Sequence, residues 1–254
     1  MVLSASMTPA KINHFTRIYD GHLNLLAQVE KKASDPEMDR TGLWSTSVAG
    51  LCRDIGVLGF LIRRDIAEFR ARLSQSCDIW AQTVARHQAG EPIDSSYVTA
   101  LLYVPVLEAL ACGAFDVSVK LAKALGGRAE LERAHNTAFD KAFGYAIREV
   151  ILESNCGHVA ALEKVVSSKG NTDFRGYREA LAAIQNSDPS ALDAGFRSAL
   201  DGHVRQSRSK GRFSGTLDEH ICVWCLGLAN LALFRGITVE LNNSLVPTEL
   251  LANN

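Results

Sequence analysis

The chain has almost no net charge to work with: 27 lysines and arginines stand against 28 aspartates and glutamates, a formal balance of -1 over 254 residues. A nucleic-acid binder rests its affinity on a strongly basic surface, so this balance argues against one, and equally against an acidic mimic of DNA. Glycine and proline are not enriched and the apolar residues are spread throughout, which excludes long disorder. The opening residues MVLSASMTPAKIN lack a charged start followed by an apolar stretch and a small-residue cleavage site, so the expectation is a protein that stays in the cytoplasm. The six cysteines, Cys52, Cys77, Cys112, Cys156, Cys222 and Cys225, are scattered, mostly within apolar helical patterns. They read as reduced thiols packed like small hydrophobes rather than as a disulfide framework. Motifs are missing too: there is no Gly-x-Ser-x-Gly elbow, phosphate-binding glycine loop, dinucleotide fingerprint or His-Glu-x-x-His helix.

What is present is 47% hydrophobic residues, ample for a sizeable core, arranged mainly at helical spacing. Thr8 and Pro9 form a cap and first-turn proline ahead of Ile12, Phe15, Tyr19, Leu23, Leu26 and Val29. Asp35-Pro36 breaks that helix, and a second begins near Thr41. Leu51, Ile55, Leu58, Ile62, Ile66, Phe69 and Leu73 make the longest stripe, with a break expected near Gly56, Gly59 or Ser74 to Ser76. A helix from Asp94 or Ser95 through Leu110 contains Pro105, which predicts a kink or a break. Phe115 to Leu125, Arg128 to Glu153, His158 to Val166 and Phe174 to Ile184 follow as helices. Ser187-Asp188-Pro189 launches one more. Ile237 to Leu241 alternates like one short strand.

The stretch Thr216 to Leu241, TLDEHICVWCLGLANLALFRGITVEL, organises the rest. Thr216 and Glu219 are spaced as a capping box, Gly236 supplies the stop, and between them there is almost no polar face. A helix apolar all round is buried, and this one is short of the ~20 residues that cross a bilayer. The prediction is a single all-α globular domain, residues 1–254, of about ten helices round a buried C-terminal helix, with at most one short strand. The fallback is a domain boundary near Gly90 or Asn155.

Candidate chemistry is sparse. Cys222-x-x-Cys225 has the redox spacing near a helix start, but no βαβ pattern surrounds it, so two packed core cysteines are the favoured reading. A zinc site would need further ligands, for which His220, Cys156 and His158 are candidates by type alone. Glu132-x-x-His135 matches half of a di-iron bundle motif that such sites use twice. A polar helix face is favoured there. Glu149 and Glu153 are one turn apart and read as a solvated face before an acid–base pair. Asn230 is the odd residue of the apolar helix, a buried amide that must find partners. Arg205 to Arg212, RQSRSKGR, is the one basic cluster and reads as part of a solvated loop, Arg205 to Gly215.

The C-terminal third carries a further pattern: Tyr177-Arg178-Glu179-Ala180-Leu181; then Ser187-Asp188 before a helix with Phe196, Leu200 and His203; then Leu231 to Val239, LALFRGITV; then Leu245 to Leu251, LVPTELL. In order and spacing these pieces resemble the immunity protein forty-nine family of bacterial polymorphic-toxin systems. The resemblance implies a cytoplasmic, mostly helical antitoxin without catalytic activity, which binds a secreted toxin and occludes its active site or blocks substrate access. It implies no catalytic, cofactor-binding or metal residues, no cofactor, and a cognate protein toxin as partner rather than nucleic acid or membrane. Homo-oligomerisation is left open, and the toxin-contacting residues are unspecified. The exposed stretches Ser34 to Arg40, Gly90 to Ser96 and Arg205 to Gly215 are contact candidates. The competing readings are a helical adaptor for another partner and a helical enzyme using Glu132 and His135 or Cys222 and Cys225.

Overall fold

The computed structural model describes residues 7–252. Among them are eleven α-helices and no sheet. The chain divides into two compact units, Met1–Tyr97 and Val98–Asn254.

In the first unit, α1 (Pro9–Ala33), α2 (Leu43–Arg63) and α3 (Ile66–Gln88) follow one another, with α2 packed against both others. Thr8 caps α1 by accepting from Lys11 N, with Pro9 in the first turn as its lack of a donor allows. Helix α2 is long and apolar enough to cross a membrane by composition, but half of its apolar window is buried within the fold. It carries Arg53 and Asp54 paired at 2.9 Å in mid-length, as a core helix can. The break in the long stripe falls at Arg64-Asp65, not at the glycines or serines. Arg64 takes the left-handed conformation (φ 56°), and Asp65 caps α3 by accepting from Glu68 N at 2.9 Å. Gly56 stays helical and lets α2 approach α3: a Cβ there would lie 2.9 Å from Arg72 Cβ.

The second unit contains α4 (Tyr103–Ala111), α5 (Phe115–Ala124), α6 (Ala129–His135), α7 (Ala138–Ile151), α8 (His158–Val166), α9 (Arg175–Asn186), α10 (Pro189–Gln206) and α11 (Val223–Phe234). The expected helix through Pro105 is two 3₁₀ turns, Ser95–Val98 and Ala100–Leu102, followed by α4. Pro105 thereby sits in a first turn, where its missing N–H costs no hydrogen bond. The expected helix from Arg128 to Glu153 is split at Asn136. Thr137 and Asp140 form a reciprocal capping box that starts α7 afresh.

Helix α11 is the buried post of this unit, enclosed from Val223 to Ala232 and packed chiefly on α4. It starts later than its sequence implied. Thr216 and Glu219 make no capping box: Thr216 Oγ1 donates to Phe213 O at 2.7 Å, Glu219 accepts from Gly215 N, and residues Leu217–Glu219 form only a 3₁₀ turn. Cys222 takes the cap position instead. The stop is where the glycine places it, with Gly236 at φ 73°. Residues 237–242 form no strand; an isolated bridge joins Asn243 to Val246, too short to make a ladder.

Candidate functional site

Each chemically suggestive group can be followed to its place in the second unit. Glu132 and His135 do not share a site. The Glu132 carboxylate is buried, accepts from Tyr145 Oη at 3.0 and 3.2 Å and from Arg128 N at 3.2 Å, and so caps its own short helix, while His135 is exposed. Glu149 and Glu153 part in the same way. Glu149 is buried rather than on a solvated face, accepting from Gly157 N at 3.3 Å, His158 N and Gln185 Nε2 at 3.0 Å. Helix α8 begins at a glycine with no side-chain cap, and this carboxylate from α7 satisfies its orphaned donors and its dipole. Glu153 is exposed beside Arg235 at 3.5 Å. Cys156 is exposed, His158 and His220 are half-buried, and among the described residues no three His, Cys, Asp or Glu side chains are grouped to hold a metal ion.

Asn230 finds the partners its burial demands. Its amide donates to Leu110 O at 3.0 Å and Ala111 O at 3.1 Å and accepts from Ala252 N at 2.9 Å, tying the end of α4 and the tail to α11. The basic segment is a loop only in part. Helix α10 runs to Gln206, and the following turns carry Phe213 into the core and Arg212 onto α7. The Arg212 guanidinium donates to Asp140 Oδ1 at 2.6 Å and Tyr103 Oη at 2.7 Å, and lies 5.2 Å from the Trp224 ring centre. Tyr103 donates to Asp140 at 2.9 Å, and Thr137 Oγ1 donates to the other oxygen at 2.6 Å. Burial pushes the Asp140 carboxyl up, but Thr137, Arg212 and Tyr103 outweigh it and hold it below the ordinary value.

Cys222 and Cys225 occupy the first turn of α11, both 0% exposed. Two residues without any sequence link to them complete the cluster: Tyr177 from α9 and His203 from α10. Tyr177 Oη lies 3.4 Å from Cys222 Sγ and 3.4 Å from His203 Nδ1. His203 Nε2 lies 2.7 Å from the Asp218 carbonyl oxygen. A carbonyl only accepts, so Nε2 carries a proton and Nδ1 faces Tyr177 Oη, which in turn reaches the sulfur. Burial opposes charge at both groups. The contact between them still raises the imidazole and, with the Cys225 hydrogen bond, holds the Cys222 thiol well below its ordinary value; Cys225 is pushed well above. Beyond this cluster, a 700 Å³ cleft opens where α7, α9 and α11 end, lined by Glu149, Glu153, Asn155, Gln185, Phe234 and Arg235.

No family model, no curated protein and no solved structure matches this chain. Function is therefore argued from the sequence pattern and from this geometry. Of the pairs that sequence singled out, Glu132 parts from His135 and Glu149 from Glu153, whereas Cys222 and Cys225 stay together. Tyr177 and His203 escaped notice as their partners because α9 and α10 bring them there by tertiary packing.

Proposed function

We propose that this chain is a non-catalytic immunity protein that binds a cognate bacterial toxin in the cytoplasm and occludes its active site. The observation that carries the reading is the ordered set of C-terminal pieces from Tyr177 to Leu251. They fall on α9, α10, α11 and the closing turn Thr248–Leu250, all in one compact unit. The engagement of Glu132, Asp140 and Asn230 within the fold supports it, since these polar groups hold elements together. Binding would use the outside of the helices. Phe234, 62% exposed and stacked on Phe115 with ring centres 3.6 Å apart, is an aromatic of the kind that anchors interfaces.

The test is coexpression with the toxin encoded beside the gene. Cells are expected to survive when this protein is present and to die with an empty vector. Death despite abundant soluble protein ends the reading. For the purified complex, Phe234→Ala is expected to weaken the dissociation constant by at least about tenfold, the scale of an interface anchor, read by calorimetry.

A further inference from the structure

Among the described cysteines, Cys222 stands out for where its sulfur sits. At α1, α3, α7 and α10 the cap residues Thr8, Asp65, Thr137 and Asp188 offer an oxygen to the first backbone N–H groups. At α11, as at α2, α4, α5, α6, α8 and α9, the cap residue's side chain makes no such bond, and here that residue is Cys222. The positive end of an α-helix favours an anion at that position. The donors that would hold a thiolate are already around it. Tyr177 Oη is 3.4 Å away and itself 3.4 Å from His203 Nδ1, whose Nε2 is committed to Asp218, and both Cys225 and the imidazole favour the thiolate. Cys52 provides the contrast. It is buried in mid-α2 beside Arg72, and there burial prevails and pushes the thiol up, whereas at Cys222 the neighbours outweigh it. Cys112 contrasts too, its sulfur spending its proton on the Ala109 carbonyl at 3.3 Å. A buried cysteine in apolar surroundings is inert. Cys222 is buried in polar ones.

We propose that Cys222 and Cys225 form a peroxide-reactive dithiol, with Cys222 the attacking thiolate and Cys225 the resolving thiol. Both sulfurs are fully enclosed, so an oxidant reaches them through an opening at the first turn of α11, and hydrogen peroxide needs a smaller opening than a bulky organic disulfide. The Cys222 thiolate attacks one peroxide oxygen; the S–O bond forms, the O–O bond breaks, and the leaving hydroxide takes the proton of the His203 imidazolium to become water. The Cys225 sulfur then attacks the sulfenic sulfur of Cys222; the S–S bond forms, the S–O bond breaks, and the hydroxyl departs as water with the Cys225 proton. Two thiols lose two electrons and the peroxide is reduced to two waters. Side chains three apart on a helix have Cβ atoms about 5–6 Å apart, and a disulfide needs about 3.5–4.5 Å. The first turn of α11 must tighten by roughly an ångström or two, which a cap residue at its edge allows. The site does not depend on the toxin-binding reading: peroxide chemistry and protection in coexpression can each fail without the other.

The test uses the reduced full-length chain, with Cys156→Ser to remove the exposed thiol. It is exposed to hydrogen peroxide, quenched, unfolded, alkylated and mapped by mass spectrometry. Cys222 and Cys225 are expected to lose alkylation together, in one peptide lighter by two hydrogens and restored by a thiol reductant. Cys52, Cys77 and Cys112 should still be alkylated. Cys225→Ser should leave a sulfenic acid on Cys222 that dimedone traps. His203→Gln, checked for fold by circular dichroism, should slow oxidation about tenfold or more. Oxidation of Cys222 and Cys225 no faster than that of Cys52 and Cys77 overturns the proposal, as does a folded Cys225→Ser protein that yields no trapped sulfenic acid.

Discussion

Arg212 and Asp140 are the residues where burial and charge are most at odds. The Asp140 side chain is 6% exposed and Arg212 30%, and each charge is tolerable only because the other is there. Replacing Arg212 by leucine keeps apolar contact with Trp224 and leaves Asp140 with Tyr103 and Thr137 alone. The expected cost is about 2–3 kcal/mol, the range for a hydrogen bond to a charged group with its partner left buried, measured by urea unfolding. Asp140→Asn added to Arg212→Leu should cost less than the two single changes summed, because the second change removes the charge the first stranded. Strict additivity would mean the pair is not coupled. Asn230 was legible beforehand as a residue in need of partners, since every neighbour along its helix is apolar. Glu149 was not. Its one-turn spacing from Glu153 reads as a solvated face, and only the arrival of α8 and α9 turns it into an anchor for Gly157, His158 and Gln185. Arg212 was hidden for a similar reason, since RQSRSKGR has the composition of a loop and nothing in it tells which arginine turns inward.

Local signals located the elements well where a cap is written in full, as at Thr8-Pro9 and Asp188-Pro189. They misled where a capping pattern exists in sequence and the chain ignores it, as at Thr216 and Glu219, or where a weaker one is used. Asp65-Ile66-Ala67-Glu68 ends one long stripe and begins another, and Thr137-x-x-Asp140 does the same before α7. Periodicity runs through both breaks because the apolar side faces the same core on each side. Helix pairing was the least legible level, being fixed by glycines that look unremarkable in line. Helices α9 and α10 meet at Gly176 and Gly195: a Cβ at Gly195 would sit 2.7 Å from Ala180 N, and one at Gly176 would overlap the backbone nitrogen of Ala199. Gly176→Ala should therefore force the pair apart and cost about 1–3 kcal/mol or more, as overpacking does. Gly21→Ala is the counterpart. It lies in mid-α1 with nothing within 4 Å of the added carbon, so the same chemical change should stabilise by about 0.5–1 kcal/mol through helix propensity alone. Chemical denaturation of the two variants separates them by sign; a destabilised Gly21→Ala protein would show that α1 has a neighbour on that face.

The whole molecule is near neutrality in charge, but its ionisable groups are not near neutrality in effect. Asp39 in the first unit and Asp140 and Asp173 in the second all have carboxyls held below the ordinary value: burial pushes each up, and hydrogen bonds from Ser45 and Arg86, from Thr137, Arg212 and Tyr103, and from Arg205 and Gln206 respectively bring it down further. A carboxyl depressed in the folded state contributes stability that is present above its unfolded value, about 3.9, and lost as the pH falls through the folded value. His203 has the opposite sign. Burial lowers its imidazole, but Cys222 and the Asp218 carbonyl raise it above the ordinary value. Its contribution is full below about 6.5 and is lost as the pH rises through the folded value. The groups facing it are Tyr177 from α9, Cys222 at the start of α11 and Asp218, whose charge also raises it, with Phe213 stacked on its ring at 4.2 Å, so its charge has two anionic partners. Stability should accordingly fall below about pH 4 from the carboxylates, while the loss from His203 on raising the pH is opposed by the Cys222 thiol, whose lowered value contributes stability that grows toward its unfolded value, about 8.5, so no decline is expected between about pH 6.5 and 8.5. Tryptophan reports the second unit by itself once Trp44 and Trp80 are replaced by phenylalanine, leaving Trp224. In that background the urea midpoint of the second unit is expected to trace the acid limb and then a plateau. His203→Gln should keep the acid limb, and Asp140→Asn should make it shallower. A decline between about pH 6.5 and 8.5 that His203→Gln abolishes would show that the imidazole is charged with no thiolate beside it, and Cys222 would then not be the anion of this cluster.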